Sequence, residues 1–177
     1  MRAAAAARSA RRHLVIAQGR EAGGHVRGVM PLDDLVAAVV DAVSLPVVAA
    51  GGLSTRDAVA HIIAAGADAV RIGTAFVATD ESAAHPAYKA ALIAAAGPQD
   101  TVLTTQFNED WPDAPHRVLR TALLRAELTG NRSITPPNRD SRGDVSGMAM
   151  YAGEGVGGVN KVRGAGARTR ELMAAVS

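Results

Sequence analysis

The sequence predicts a parallel α/β protein, and three observations carry that prediction. Short runs of β-branched and small apolar residues recur at 14–17, 47–50 and 69–72. Each run ends in a loop carrying glycine, and each loop leads into a stretch with apolar residues at helical spacing. The loop chemistry narrows the fold further. Gly51-Gly52 follows one strand, and Gly73-Thr74 follows the next at the start of a helix. That pair fits the phosphate site that a TIM barrel builds after its last two strands. No G-x-G-x-x-G fingerprint stands in this region to favour a dinucleotide fold.

The first strand and its loop, LVIAQGREAGGHVRG, are the centre of the chain. Leu14, Val15, Ile16 and Ala17 read as a strand buried on both faces that delivers a functional loop at its carboxyl end. The loop offers Gln18 and Glu21 as polar side chains, Gly23 and Gly24 for close backbone approach, and His25 as a proton carrier. Pro31 and Asp33 then open a helix over 32–43, with Leu35, Val36, Val39 and Val40 on one face. Residues 44–46 turn the chain into the second strand. Ser54 or Thr55 caps the next helix, whose inner face carries Ala58, Ile62 and Ile63 and which Gly66 closes. The third strand leads into helices over 75–79 and 86–96, the latter ended by Gly97-Pro98.

Beyond Gly97 the pattern loosens. Residues 101–105 suit a strand, 107–115 form a loop with the sole tryptophan, and 116–128 read as a helix. Residues 131–146 are a polar loop, and 152–158 are a glycine-rich strip, weak as a phosphate motif on its own. A helix over 164–176 ends the sequence. His61 and His85 read as surface or capping residues, and Glu21 as a group that orients its loop. Asp33 with Asp34, and Asp80 with Glu81, read as helix-start acids.

Bulk properties exclude several classes. A formal charge of +2, with only 3% aromatic residues, gives no basic, aromatic-lined platform for nucleic acid. Without cysteine there is neither a disulfide framework nor a thiolate metal site, and no metal is expected. No apolar run has the length to cross a bilayer, and a cytoplasmic location is expected. Residues 1–12, made of Met, Ala, Ser and Arg, superficially match a transit peptide, but a surface helix feeding the first strand is the favoured reading.

The chain resembles the nitronate monooxygenase family, formerly the 2-nitropropane dioxygenases. The motifs that carry the resemblance are QGREAGGHVRG, PVVAAGGLSTRDAV and GADAVRIGTAFVATDESAAHPAYKAAL, joined by WPDAPHRVLR and MAMYAGEGVGGV. These enzymes are FMN-dependent TIM barrels that oxidise alkyl nitronates or nitroalkanes with O2, releasing a carbonyl compound and nitrite. The resemblance implies that Gln18 and Gly23 touch the flavin. It places Gly52 at the phosphate end and closes Arg71, Ile72, Gly73 and Thr74 around the phosphate. Arg71 stands where the family often has glutamine. His25 would be the catalytic base, and Tyr151 a wall of the substrate pocket.

A full barrel takes about 250 residues, and the three strand-loop units resemble the family's last three. The expected architecture is therefore a partial (β/α)8 barrel with a C-terminal helical extension. Its parts are an amino-terminal helix remnant or altered start (1–13), the FMN-binding barrel portion (14–97), and the extension with substrate-side segments (98–177). Open strand edges of such a piece favour self-association, although two copies supply six strands rather than eight. Two alternatives stand beside the main reading: an FMN-dependent enoyl-acyl-carrier-protein reductase-like barrel, and a truncated non-catalytic fragment.

Overall fold

The computed structural model describes residues 13–109, 111, 114–174 and 176. The expected helix over residues 1–12 lies outside them. Three strands, β1 (Val15–Gln18), β3 (Val47–Ala50) and β4 (Ala69–Arg71), form a parallel sheet in the order β1-β3-β4. Between them run α1 (Leu32–Ala42) and α2 (Arg56–Ala64). The apolar stripes of both helices pack on one sheet face, joining Ala17, Val47 and Ala49 to Leu32, Val36, Ile62 and Ala67 in a single buried cluster. Asp33 and Asp34 occupy the first turn of α1, where the helix dipole favours them. Thr55, rather than Ser54, caps α2 by accepting the Ala58 N–H at 3.2 Å.

The register places Gln18, Ala50 and Arg71 in one row across the sheet. This row lies on the face away from the helices, and that face corrects one expectation. β1 is covered on one side only: Ala17 is buried, whereas Ile16 is 46% exposed and Gln18 is open as well. Alternation decides this, because successive side chains of a strand point to opposite faces and α1 and α2 cover just one.

After β4 come α3 (Thr74–Val77) and α4 (Pro86–Ala94). His85 caps α4, its Nδ1 accepting the Ala87 N–H. A second sheet then corrects the expected helix over 116–128. His116–Leu119 is a strand, β6, and the helix, α5 (Arg120–Thr129), begins only after it. β6 pairs antiparallel with β5 (Thr101–Thr104) on one side and with the two-residue β2 (Gly24–His25) on the other. Pairing on both sides satisfies its backbone groups, and this outweighs the helix-forming tendency of the residues that follow. His25 and His116 thus become directly opposed partners.

The final helix, α6 (Ala165–Met173), starts at an N–H of Ala165 held by the Glu81 carboxylate. Glu81 is a helix-start acid, as its type implies, but of a helix far along the chain. These hydrogen bonds hold its carboxyl pKa below the ordinary value. A second buried cluster joins Ala75, Ala78, Tyr88 and Leu92 to Leu119, Met150, Ala152, Val156 and Val159, so residues on both sides of Gly97 share one apolar cluster.

Candidate functional site

The carboxyl ends of β1, β3 and β4 open into a cavity of about 870 Å3. Of the residues nominated from sequence, Gln18, Gly23, His25, Gly52, Arg71, Gly73 and Thr74 all line it. Ile72 is the exception: its side chain turns away and packs against the cluster around Ala75 and Ala78. The loops of Gly23, Gly52 and Gly73 therefore meet in one place.

Local backbone chemistry explains how. Gly51 and Gly52 have φ of +126° and +67°, conformations that L side chains rarely adopt, so the chain turns sharply at the end of β3. Gly23 is required for a different reason. A Cβ there would lie 2.6 Å from the Gly153 nitrogen and 2.7 Å from the Ala152 carbonyl carbon. Two backbone segments meet at this point, which brings the glycine strip against the first loop.

That loop is held from several sides. Gln18 Nε2 donates to the His25 carbonyl at 3.1 Å. The Glu21 carboxylate accepts the Leu32 N–H at 3.1 Å, and its carbonyl accepts the Glu154 N–H at 2.9 Å. Glu21 thus orients the loop, the role expected of it. Arg117 donates to the Arg20 carbonyl and pairs with Glu154 at 2.9 Å. Thr74 Oγ1 accepts the Gly153 N–H at 3.0 Å, tying the loop after β4 to the same strip.

His25 sits within a cluster of rings. Its imidazole stacks on Trp111 at 4.5 Å between centroids with 29° between planes. It meets His116 edge-on at 5.5 Å and Tyr151 at 6.1 Å. Its Nε2 is closed off from solvent and has no hydrogen-bond partner among the described residues. His116 is wholly buried. Its Nε2 accepts the Phe107 N–H at 3.2 Å, leaving the proton on Nδ1, which donates to the Ala114 carbonyl at 2.9 Å. Burial pushes the His116 pKa below the ordinary value, the Ala114 bond opposes this, and nearby His25 lowers it further. Tyr88 and Tyr151 also line the cavity. Their hydroxyls donate to the carbonyls of Tyr151 and Ile134, respectively. Burial raises both phenol pKa values, so both remain protonated donors at neutral pH.

The sequence reading missed Ser54, Tyr88, Gly153 and Gly155 as cavity walls, and Trp111 and His116 as companions of His25. The glycine strip was the one visible signal for Gly153 and Gly155; its partners lie too far along the chain to be read locally.

The nitronate monooxygenase family model matches residues 1–174. The chain belongs to the nitronate monooxygenase family. Members are flavin oxidoreductases. A Mycobacterium tuberculosis protein named as a putative monooxygenase is 35% identical over 92% of this chain, which covers 48% of that protein. FabK from Thermotoga maritima superimposes with a TM-score of 0.80 and 31% identity, over 97% of this chain and 57% of its own. A nitroalkane oxidase from Streptomyces ansochromogenes gives 0.76 and 35%, over 98% of this chain and 54% of its own. The chain therefore spans about half the length of the relatives it matches.

His116 offers a direct stability test of this packing around the cavity. Replacing it with Ala strands the Phe107 N–H and the Ala114 carbonyl in the interior, an expected loss of about 2–4 kcal/mol in urea unfolding. The sign of its pH effect follows from the lowered pKa. Unfolded histidine binds protons more readily, so the stability it confers is complete above about pH 6.5 and declines as pH falls below that. Thermal melts at either side of that value should show a drop that His116→Ala reduces.

Proposed function

We propose that the chain carries the flavin-binding end and the base of an FMN-dependent oxidation of alkyl nitronates and nitroalkanes. The products are a carbonyl compound and nitrite, with O2 as co-substrate, and the sheet is part of a (β/α)8 barrel. The observation that carries this reading is the convergence of the Gly23, Gly52 and Gly73 loops and His25 on one cavity. The residues present fit the flavin. A side chain at Gly73 or Gly24 would meet nothing within 4 Å, so both face space that a ligand can fill. His25 Nε2 is a buried polar atom lacking a partner among the described residues.

Bound FMN supplies the redox chemistry. The chain's residues do the rest. The loops at Gly52 and at Gly73-Thr74 would hold the phosphate, and Arg71, exposed at the end of β4, brings a positive charge to the same cavity. Gln18 and the backbone at Gly23 would border the ring. For a neutral nitroalkane, the His25 imidazole takes the proton from the carbon bearing the nitro group. The C–H electron pair remains on the substrate as the nitronate. Tyr151, immobilised through its hydroxyl, walls the substrate side.

The FabK likeness favours a second reading, an enoyl-acyl-carrier-protein reductase-like barrel. One assay separates the two. The purified chain with FMN is expected to release nitrite from a nitronate in an oxygen-dependent manner. NADH-dependent reduction of an enoyl thioester without nitrite release would replace the first reading by the second.

A further inference from the structure

We propose that Trp111 is the positioning residue of His25: the indole fixes the plane of the imidazole and stabilises the imidazolium that forms when His25 accepts the substrate proton. The proposal deepens the function above and rests on His25 being the base. Trp111 is 46% exposed, so it is not placed by a surrounding apolar core. Yet it lies on the His25 ring with 4.5 Å between centroids and near-parallel planes. The π face of an indole is electron-rich and attracts a cation laid over it. The same contact serves a neutral imidazole only by packing. Trp111 therefore acts more strongly after proton transfer than before it, as a group that assists a base must.

The other neighbours do not compete for this role. His116 approaches edge-on, and both of its nitrogens are committed to backbone partners, so it stays neutral and adds no opposing charge. The Tyr151 phenol is held protonated by burial. The Arg117–Glu154 pair, on the strand beside Gly24, neutralises itself. Gln18 reaches His25 at its backbone carbonyl, through its amide. Trp111 alone presents a π face parallel to the imidazole among these groups. The proton transfer itself breaks one C–H bond, forms one N–H bond and leaves the electron pair on the nitronate.

The protein contains one tryptophan, so its emission comes from the indole stacked on His25. The emission of the full chain is expected to change when His25→Gln removes the ring stacked on the indole. Kinetically, Trp111→Ala should lower turnover of a neutral nitroalkane about tenfold relative to the preformed nitronate, and Trp111→Phe should restore most of the ratio. An emission unaltered in His25→Gln, or an unaltered ratio in Trp111→Ala, would overturn the proposal. If His25→Gln altered the emission but kept nitroalkane turnover, the stack would stand while the base assignment fell, and the proposal with it.

Discussion

His25→Gln is expected to retain FMN binding while losing about 10²- to 10⁴-fold of its turnover of neutral nitroalkanes. The imidazole lies at the cavity wall on a two-residue strand, and among the described residues its Nε2 makes no hydrogen bond. Removing it takes away the proposed proton acceptor and its ring contacts with Trp111, His116 and Tyr151, but no hydrogen bond of the ring among the described residues. The contacts that shape the loop belong to other groups: the backbone carbonyl at this position, which the variant keeps, the Glu21 carboxylate and Arg117. Supplying the preformed nitronate should restore most of the activity, because the deprotonation has then been done in advance. Equal losses on both substrates, together with loss of flavin, would make His25 a structural residue.

Gly23→Ala should be the most damaging single-methyl addition at the nominated flavin contacts. The new Cβ would stand 2.6 Å from one backbone atom and 2.7 Å from another, and neither belongs to a side chain that can rotate aside. Relief requires separating the first loop from the Ala152-Gly153 segment, at an expected cost of about 1–3 kcal/mol in unfolding free energy. The same displacement moves Gly153 away from Thr74, whose hydroxyl accepts its N–H. FMN affinity is therefore expected to fall about tenfold or more, measured by flavin fluorescence titration. Gly73→Ala provides the contrast. Its Cβ meets no protein atom, so its effect should appear in flavin binding and leave stability nearly unchanged.

The parallel strand-loop-helix units were legible because their signals are local. Each strand is a short apolar run, each loop carries glycine, and the helical stripes keep a regular spacing. The two consecutive glycines after β3 announced a turn that the structure realises with positive φ at both. What escaped was non-local. His116–Leu119 becomes a strand only because β2 and β5 flank it, and nothing within those four residues reveals either partner. The contacts of His25 with Trp111, His116 and Tyr151 depend on that same pairing. The open face of β1 was likewise hidden, since Leu-Val-Ile-Ala reads the same whether one side or both sides are covered. Ile72 stands inside a nominated tetrapeptide, yet its side chain packs into the core, as strand alternation beside Arg71 requires.

Titration of the purified chain with FMN, followed by absorption and flavin fluorescence, measures whether the Gly23, Gly52 and Gly73 loops form a single cofactor site. The expected result is saturation at one FMN per chain with a perturbed flavin spectrum. A colourless chain that leaves added FMN spectrally unchanged would contradict it.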